Sequence, residues 1–110
     1  MTEITRYRGD TNPDDVLILQ PSGAVADLTG YTAVMTINKR ENPADNTDRL
    51  YQINATFPLP SSGIARFSPS TMQADQVPGV YYFDIQLTDG TGVVRTAVKG
   101  KYVYVQDITK

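Results

Sequence analysis

The side chains of this chain that could do chemistry are few in kind. Its 110 residues hold 12 Asp or Glu and 10 Lys or Arg, with no His and no Cys. Counting alone therefore excludes the Ser-His-Asp triad, thiol catalysis, disulfide staples and Cys/His zinc sites. Carboxylates are what is left for acid and base work. A glycosidase needs two of them in one cleft, one with a raised pKa, and the candidates on predicted strands are Glu3, Asp84 and Asp107. Nothing in their spacing brings two of them together. Asp84 reads instead as an outward group facing a cation such as Lys101 or Arg95. Calcium could draw oxygen ligands from Asp14-Asp15, from Asp45 with Asp48, or from Asp89. Neither EF-hand spacing nor a repeated Asp-x-Asp motif accompanies them, so they read as solvated loop carboxylates. No catalytic, cofactor-binding or metal-binding residue is assigned, and no cofactor is expected.

Two short motifs invite a binding reading. Arg8-Gly9-Asp10 has the integrin-ligand sequence, which works only on the exposed loop tip of an extracellular protein; here it falls at the end of a predicted first strand. Asn54-Ala55-Thr56 is a glycosylation sequon, but it lies within a predicted strand and reads as chance. The tyrosines say more about partners. In the last strand Tyr102 and Tyr104 share one parity, and Val103 and Val105 the other. Either the two tyrosines rest on neighbouring loops or simply partly cover the sheet, or Tyr82, Tyr102 and Tyr104 form an aromatic face that packs on another subunit. These three are the candidate protein-interface residues. Unpaired edge strands offer a second way to dock a partner.

Positioning such residues is the work of strands. Apolar residues recur at every second position in three stretches: Tyr31, Ala33, Met35 and Ile37; Tyr51, Ile53, Ala55, Phe57 and Leu59; Tyr81, Phe83, Ile85 and Leu87. A period of two means one buried and one mostly solvated face. Shorter runs bounded by turn residues lie at Ile4–Arg8, Asp15–Gln20, Gly63–Ser68, Val93–Val98 and Gly100–Gln106. Pro21-Ser22-Gly23 and Asp89-Gly90-Thr91-Gly92 read as hairpin tips. Between Arg40 and Asp48 no apolar residue is larger than Ala, so ordering that loop gains little burial against its conformational entropy, and a mobile connection is expected. Ser68 or Ser70 stands where an N-cap belongs, giving one short helical turn near residues 69–76.

About seven or eight strands with polar turns between them predict an all-β fold. The expected architecture is an immunoglobulin-like antiparallel β-sandwich, a single domain over residues 1–110. The Cys…Trp…Cys signature of antibody domains is absent. With 40% hydrophobic and 20% charged residues, the composition is neither that of a membrane span nor that of a disordered chain. The net charge of −2 and the scattered basic residues argue against nucleic acid, leaving proteins or sugars as partners. The opening residues carry no apolar run of signal-peptide length, so a cytoplasmically made soluble product is expected.

The order of motifs is more specific than any one of them. Arg8-Gly9-Asp10-Thr11, a short strand, Pro21-Ser22-Gly23, then Asp27-Leu28-Thr29-Gly30-Tyr31 lead into the strand through Ile37. Later, Pro78-Gly79-Val80-Tyr81-Tyr82-Phe83-Asp84 runs on to Gly90 and is followed by Val98 through Val105. This succession resembles the N-terminal immunoglobulin-like domain of phage baseplate upper proteins and related tailed-phage structural proteins, over nearly the whole chain. The second part looks like that family's closing hairpin, entered just after a helical turn. The resemblance implies a role for Leu28 as a plug at the sandwich end, for Gly30 and Gly79 in freeing the backbone before a strand, and for Tyr81 or Tyr82 in a tyrosine corner. It implies a non-enzymatic virion protein, an adaptor or assembly module in the tail, baseplate or fibre attachment, whose partners are other virion structural proteins or further copies of itself. Receptor-binding parts, which larger members carry after the sandwich, would then sit on another chain. No nucleic acid, membrane or small-molecule ligand is expected. The alternatives are capsid decoration, or a module binding host carbohydrate through Tyr and Asn/Asp side chains in loops; an extracellular bacterial adhesin or enzyme-appended module is a third.

Overall fold

The computed structural model describes residues 2–45 and 47–106, so Asp107 of the predicted carboxylates lies outside the described residues. Seven strands form among the described residues: β1 (Thr2–Tyr7), β2 (Asp14–Leu17), β3 (Thr32–Asn38), β4 (Arg49–Asn54), β5 (Ile64–Phe67), β6 (Gly79–Thr88) and β7 (Val94–Val105). A 3-10 turn spans Pro60–Ser62, and one helical turn, α1, spans Thr71–Ala74. A five-stranded sheet has the order β1-β7-β6-β3-β4, and β2 pairs with β5 in a second, two-stranded sheet.

The larger sheet is mixed, which corrects the expectation of purely antiparallel pairing. β1 runs parallel to β7, while β7, β6, β3 and β4 are antiparallel in turn. Parallel neighbours need a long crossover; here everything between the first and last described strands supplies it.

The stretches expected as two strands around Lys99 form the single strand β7. Gly100 divides them in sequence but serves the pairing. A Cβ there would lie 1.9 Å from the Thr2 carbonyl oxygen, so only glycine lets β1 close on β7. The run expected through Leu59 ends as a strand at Asn54, with Thr56 making an isolated bridge to Arg66.

Alternation sends Ala33, Met35 and Ile37 of β3 and Phe83, Ile85 and Leu87 of β6 into one core cluster, which Val16 of β2 and Ala65 and Phe67 of β5 join. Each large apolar side chain so buried contributes about 1.5–3 kcal/mol. Leu28, from the loop before β3, is fully buried in the same cluster, and its N–H donates to the Pro60 carbonyl at 2.9 Å.

Local chemistry sets the turns. The Ser70 hydroxyl accepts the Gln73 N–H at 3.1 Å while the Gln73 side-chain oxygen accepts the Ser70 N–H at 2.9 Å, a reciprocal cap that starts α1. At the β6–β7 tip the Asp89 carboxylate accepts the Thr91 and Val93 N–H groups at 2.9 and 3.0 Å, and Gly92 takes φ +92°. The Tyr81 hydroxyl donates to the Val77 carbonyl at 2.5 Å, the corner contact expected of Tyr81 or Tyr82. Among the described residues no helix is long and apolar enough to cross a membrane.

Candidate functional site

The pleat of β7 sends its tyrosines and valines to opposite faces. Tyr102 and Tyr104 go inward, with 0% and 1% of their surface exposed. Tyr82 pairs across the strands with Lys101, whereas Tyr102 pairs with Tyr81, so Tyr82 belongs to the other face. The shared aromatic face expected of Tyr82, Tyr102 and Tyr104 is therefore not built. The reason is that the inner face supplies partners for both phenols as well as cover for both rings. Phe83 meets Tyr102 and Tyr81 meets Tyr104 edge to face, with centroids 6.1 and 5.8 Å apart.

Those partners form a buried polar network. Arg6, 3% exposed, donates through Nε to the Tyr102 oxygen at 2.9 Å and through a terminal nitrogen to Asp14 at 2.9 Å. Its remaining donors reach the Asp10 and Asn12 carbonyls at 2.6 and 2.5 Å. Tyr102 donates in turn to the second Asp14 oxygen. Tyr104 shares a 2.5 Å hydrogen bond with the Tyr51 hydroxyl and donates to the Gln73 carbonyl at 3.2 Å. Among the described residues no buried side-chain nitrogen or oxygen lacks a partner. Burial pushes the Tyr51, Tyr102 and Tyr104 phenols up. Burial alone would lower the Arg6 pKa, but Tyr102 and Asp14 outweigh it and the net shift is upward. All three phenols therefore stay protonated as donors at neutral pH. The network is a clamp joining β1, β2, β4, β7 and α1, and none of these side chains lines the clefts described below.

The outer face of the larger sheet divides into two parts. At one end Val80 faces Val103, which faces Thr5, and Tyr7 faces Val105. Tyr7 and Val80 are 52% and 53% exposed, and Val103 and Val105 are half-buried. The apolar surface that β7 presents outward is thus made by its valines.

Further along, cross-strand rows run Asn38–Tyr82–Lys101–Glu3 and Gln52–Thr36–Asp84–Lys99. The β3–β4 loop rises beside them, and between loop and sheet lies a cleft of about 340 Å³ whose lining includes Asn38, Arg40, Asn42, Tyr82, Asp84 and Lys99. Asp84 faces Lys99, not the expected Lys101 or Arg95. A register shift between Ile85 and Gln86 places Arg95 opposite Leu87, on the other parity. The Lys99 ammonium donates to the Asn42 side chain at 2.8 Å. Asp84 is half-buried and its carboxylate makes no hydrogen bond among the described residues. Burial pushes its pKa up, only partly offset by Lys99. Tyr82 is likewise half-buried, with no partner for its hydroxyl among the described residues.

Glu3 lines a separate groove of about 770 Å³ between β1 and β2, so Glu3 and Asp84 share no cleft. The carboxylates weighed as calcium ligands have partners of their own: Asp14 binds Arg6, Asp15 binds Arg66, Asp48 binds Arg40, and Asp45 and Asp89 close turns on Thr47 and Thr91. Among the described residues no three acidic groups are gathered where they could hold a metal ion. Arg8-Gly9-Asp10 follows β1 and is pinned to α1: Arg8 pairs with Asp75 at 2.8 Å, and the Gly9 N–H donates to the Ala74 carbonyl at 2.9 Å. Asn54 closes β4.

Sequence reasoning missed the outward valines and the cleft. Val103 and Val105 were visible as the second apolar parity, but the cleft depends on where a loop without apolar anchors comes to lie. No protein-family model and no curated protein matches this chain.

Proposed function

We propose that this chain is a non-enzymatic assembly module of a tailed-phage particle, an immunoglobulin-like β-sandwich that joins neighbouring chains in the tail, baseplate or fibre attachment. The observation that carries the reading is the apolar end of the outer sheet face: Tyr7, Val80, Val103 and Val105 stand together on the side away from the core. Outward apolar side chains grouped on neighbouring strands offer the kind of surface that a protein partner can cover. Its backbone belongs to three hydrogen-bonded strands, β1, β7 and β6, which the Arg6 clamp helps to hold, so a partner would meet a preformed surface with little ordering cost.

Support for the sandwich is that both sheets contribute to one core cluster. Support for the phage resemblance is local: a buried Leu28, the Tyr81 corner contact, and a closing hairpin entered just after a capped helical turn. No residue is assigned a chemical step. Symmetric assembly with further copies of the chain fits the same surface.

Immunogold labelling of purified particles with an antibody against the native chain, read by electron microscopy, tests the reading. Label at the tail end is the expected outcome. Label over the head would replace the tail role by capsid decoration, and particles free of label would remove the virion assignment.

A further inference from the structure

We infer that the cleft between the β3–β4 loop and the outer sheet face is a binding site for a neutral saccharide, with the Tyr82 ring as its platform and the Asp84 carboxylate as acceptor for adjacent sugar hydroxyls. Its volume, about 340 Å³, is at the small end of ligand sites and suits about one or two sugar rings.

The carboxylate points to the class of ligand. Asp84 is half-buried, its carboxylate oxygens remain open to solvent, and no group among the described residues donates to them, so the donors of a ligand can replace water there. Its nearest cation does not supply them, because the Lys99 ammonium is turned to Asn42. Vicinal sugar hydroxyls are a pair of donors spaced to meet two carboxylate oxygens. A carboxylate without a protein donor, standing in a cleft beside an aromatic ring, is a candidate for ligand recognition.

Charge selects a neutral ligand. Arg40 and Lys99 in the lining are balanced by Glu41 and Asp84, and Arg40 is already paired with Asp48. A phosphate or carboxylate would meet the Asp84 charge, with Arg40 already ion-paired and Lys99 hydrogen-bonded to Asn42; an ammonium group would meet the Lys99 charge. Tyr82 supplies what a sugar needs besides hydrogen bonds, a flat ring against which the C–H face of a pyranose can lie, with a phenol at its rim. This goes beyond the assembly reading and does not rest on it, since that reading uses the valine end of the same face.

The test is a titration of the isotope-labelled full chain, followed through backbone amide shifts, with glucose, galactose, mannose, rhamnose, N-acetylglucosamine, maltose, lactose and chitobiose. At least one sugar is expected to give saturable shifts centred on residues 36–43, 82–84 and 99. Tyr82→Ala and Asp84→Asn are each expected to weaken that binding by about tenfold, the scale of one good contact, while Met72→Ala on α1 leaves it unchanged. Asp84→Asn keeps the shape of the side chain and outlasts any folding defect of Tyr82→Ala. A purely structural Asp84 would alter stability without touching sugar affinity. Absence of saturable shifts with every sugar, shifts centred elsewhere, affinity unmoved by both cleft variants, or stronger binding of arginine methyl ester or inorganic phosphate at these residues would each overturn the assignment.

Discussion

The Nε of Arg6 donates to the phenol oxygen of Tyr102 at 2.9 Å, joining residues 96 positions apart. Tyr102 donates its own O–H to Asp14, which also accepts directly from Arg6 at 2.9 Å. A charge pair is therefore bridged by a neutral phenol, and the three groups tie β1, β2 and β7 together beside the core cluster that Tyr102 joins. Such an arrangement is expensive to break yet not hard to replace, because desolvation of the ions offsets much of their attraction.

Breaking it should show that asymmetry. Arg6→Ala strands Asp14 and is expected to lower unfolding free energy by about 3–5 kcal/mol in urea denaturation. Tyr102→Phe removes one donor and acceptor and should lose about 1–3 kcal/mol. The double variant Arg6→Met with Asp14→Leu should recover most of the Arg6→Ala loss. If Arg6→Ala left the urea midpoint in place, the clamp would have no structural weight.

Gly100→Ala tests the closure of β1 on β7. With Thr2 carbonyl oxygen 1.9 Å from the new methyl position, the backbone must separate, and a loss of about 1–3 kcal/mol is expected. Amide exchange should accelerate in Thr2–Tyr7 while β3 and β6 keep their protection. Unchanged exchange in β1 would contradict the close approach.

The pH dependence should contain two opposing contributions. Hydrogen bonds from Thr29, Thr47 and Thr91 hold Asp27, Asp45 and Asp89 below the usual carboxylate range, and Arg66 does the same for Asp15. Their stabilisation is complete above the unfolded pKa of about 4 and is lost as pH falls through the folded values. Asp84 has the opposite sign: burial raises its pKa, so ionisation is penalised in the fold and stability is regained as pH falls through its folded value. Asp84→Asn is therefore expected to raise the thermal midpoint at pH 7 and to match the parent chain below about pH 3, where Asp84 is protonated folded and unfolded alike. A lower midpoint for Asp84→Asn at pH 7 would contradict that sign.

The valine end of the outer face should matter to assembly more than to folding. Val80→Asp changes a half-exposed position and is expected to shift stability by only about 0.5 kcal/mol, yet to prevent incorporation of the chain into particles assembled in its presence. Normal incorporation of Val80→Asp together with Val103→Asp would remove this surface from the contact.

What the chain's sequence determined by itself was whatever short-range geometry controls. The alternation in Tyr31–Ile37 and Tyr81–Leu87 marked β3 and β6, because side-chain direction in a strand repeats every two residues. Ser70 with Gln73 marked the start of α1, and Asp89 through Gly92 marked a hairpin tip, because those bonds span only a few residues. Tertiary structure alone decided the rest. The Tyr-Val-Tyr-Val run of β7 has apolar side chains on both parities, so alternation could not say which face turns inward; Arg6, Asp14 and Tyr51 decided it by supplying partners for Tyr102 and Tyr104 from distant strands. The parallel placement of β1 and the facing of Asp84 by Lys99 depend on register between strands far apart in the chain. The Tyr82 cleft exists only because a loop without apolar anchors comes to lie over a completed sheet.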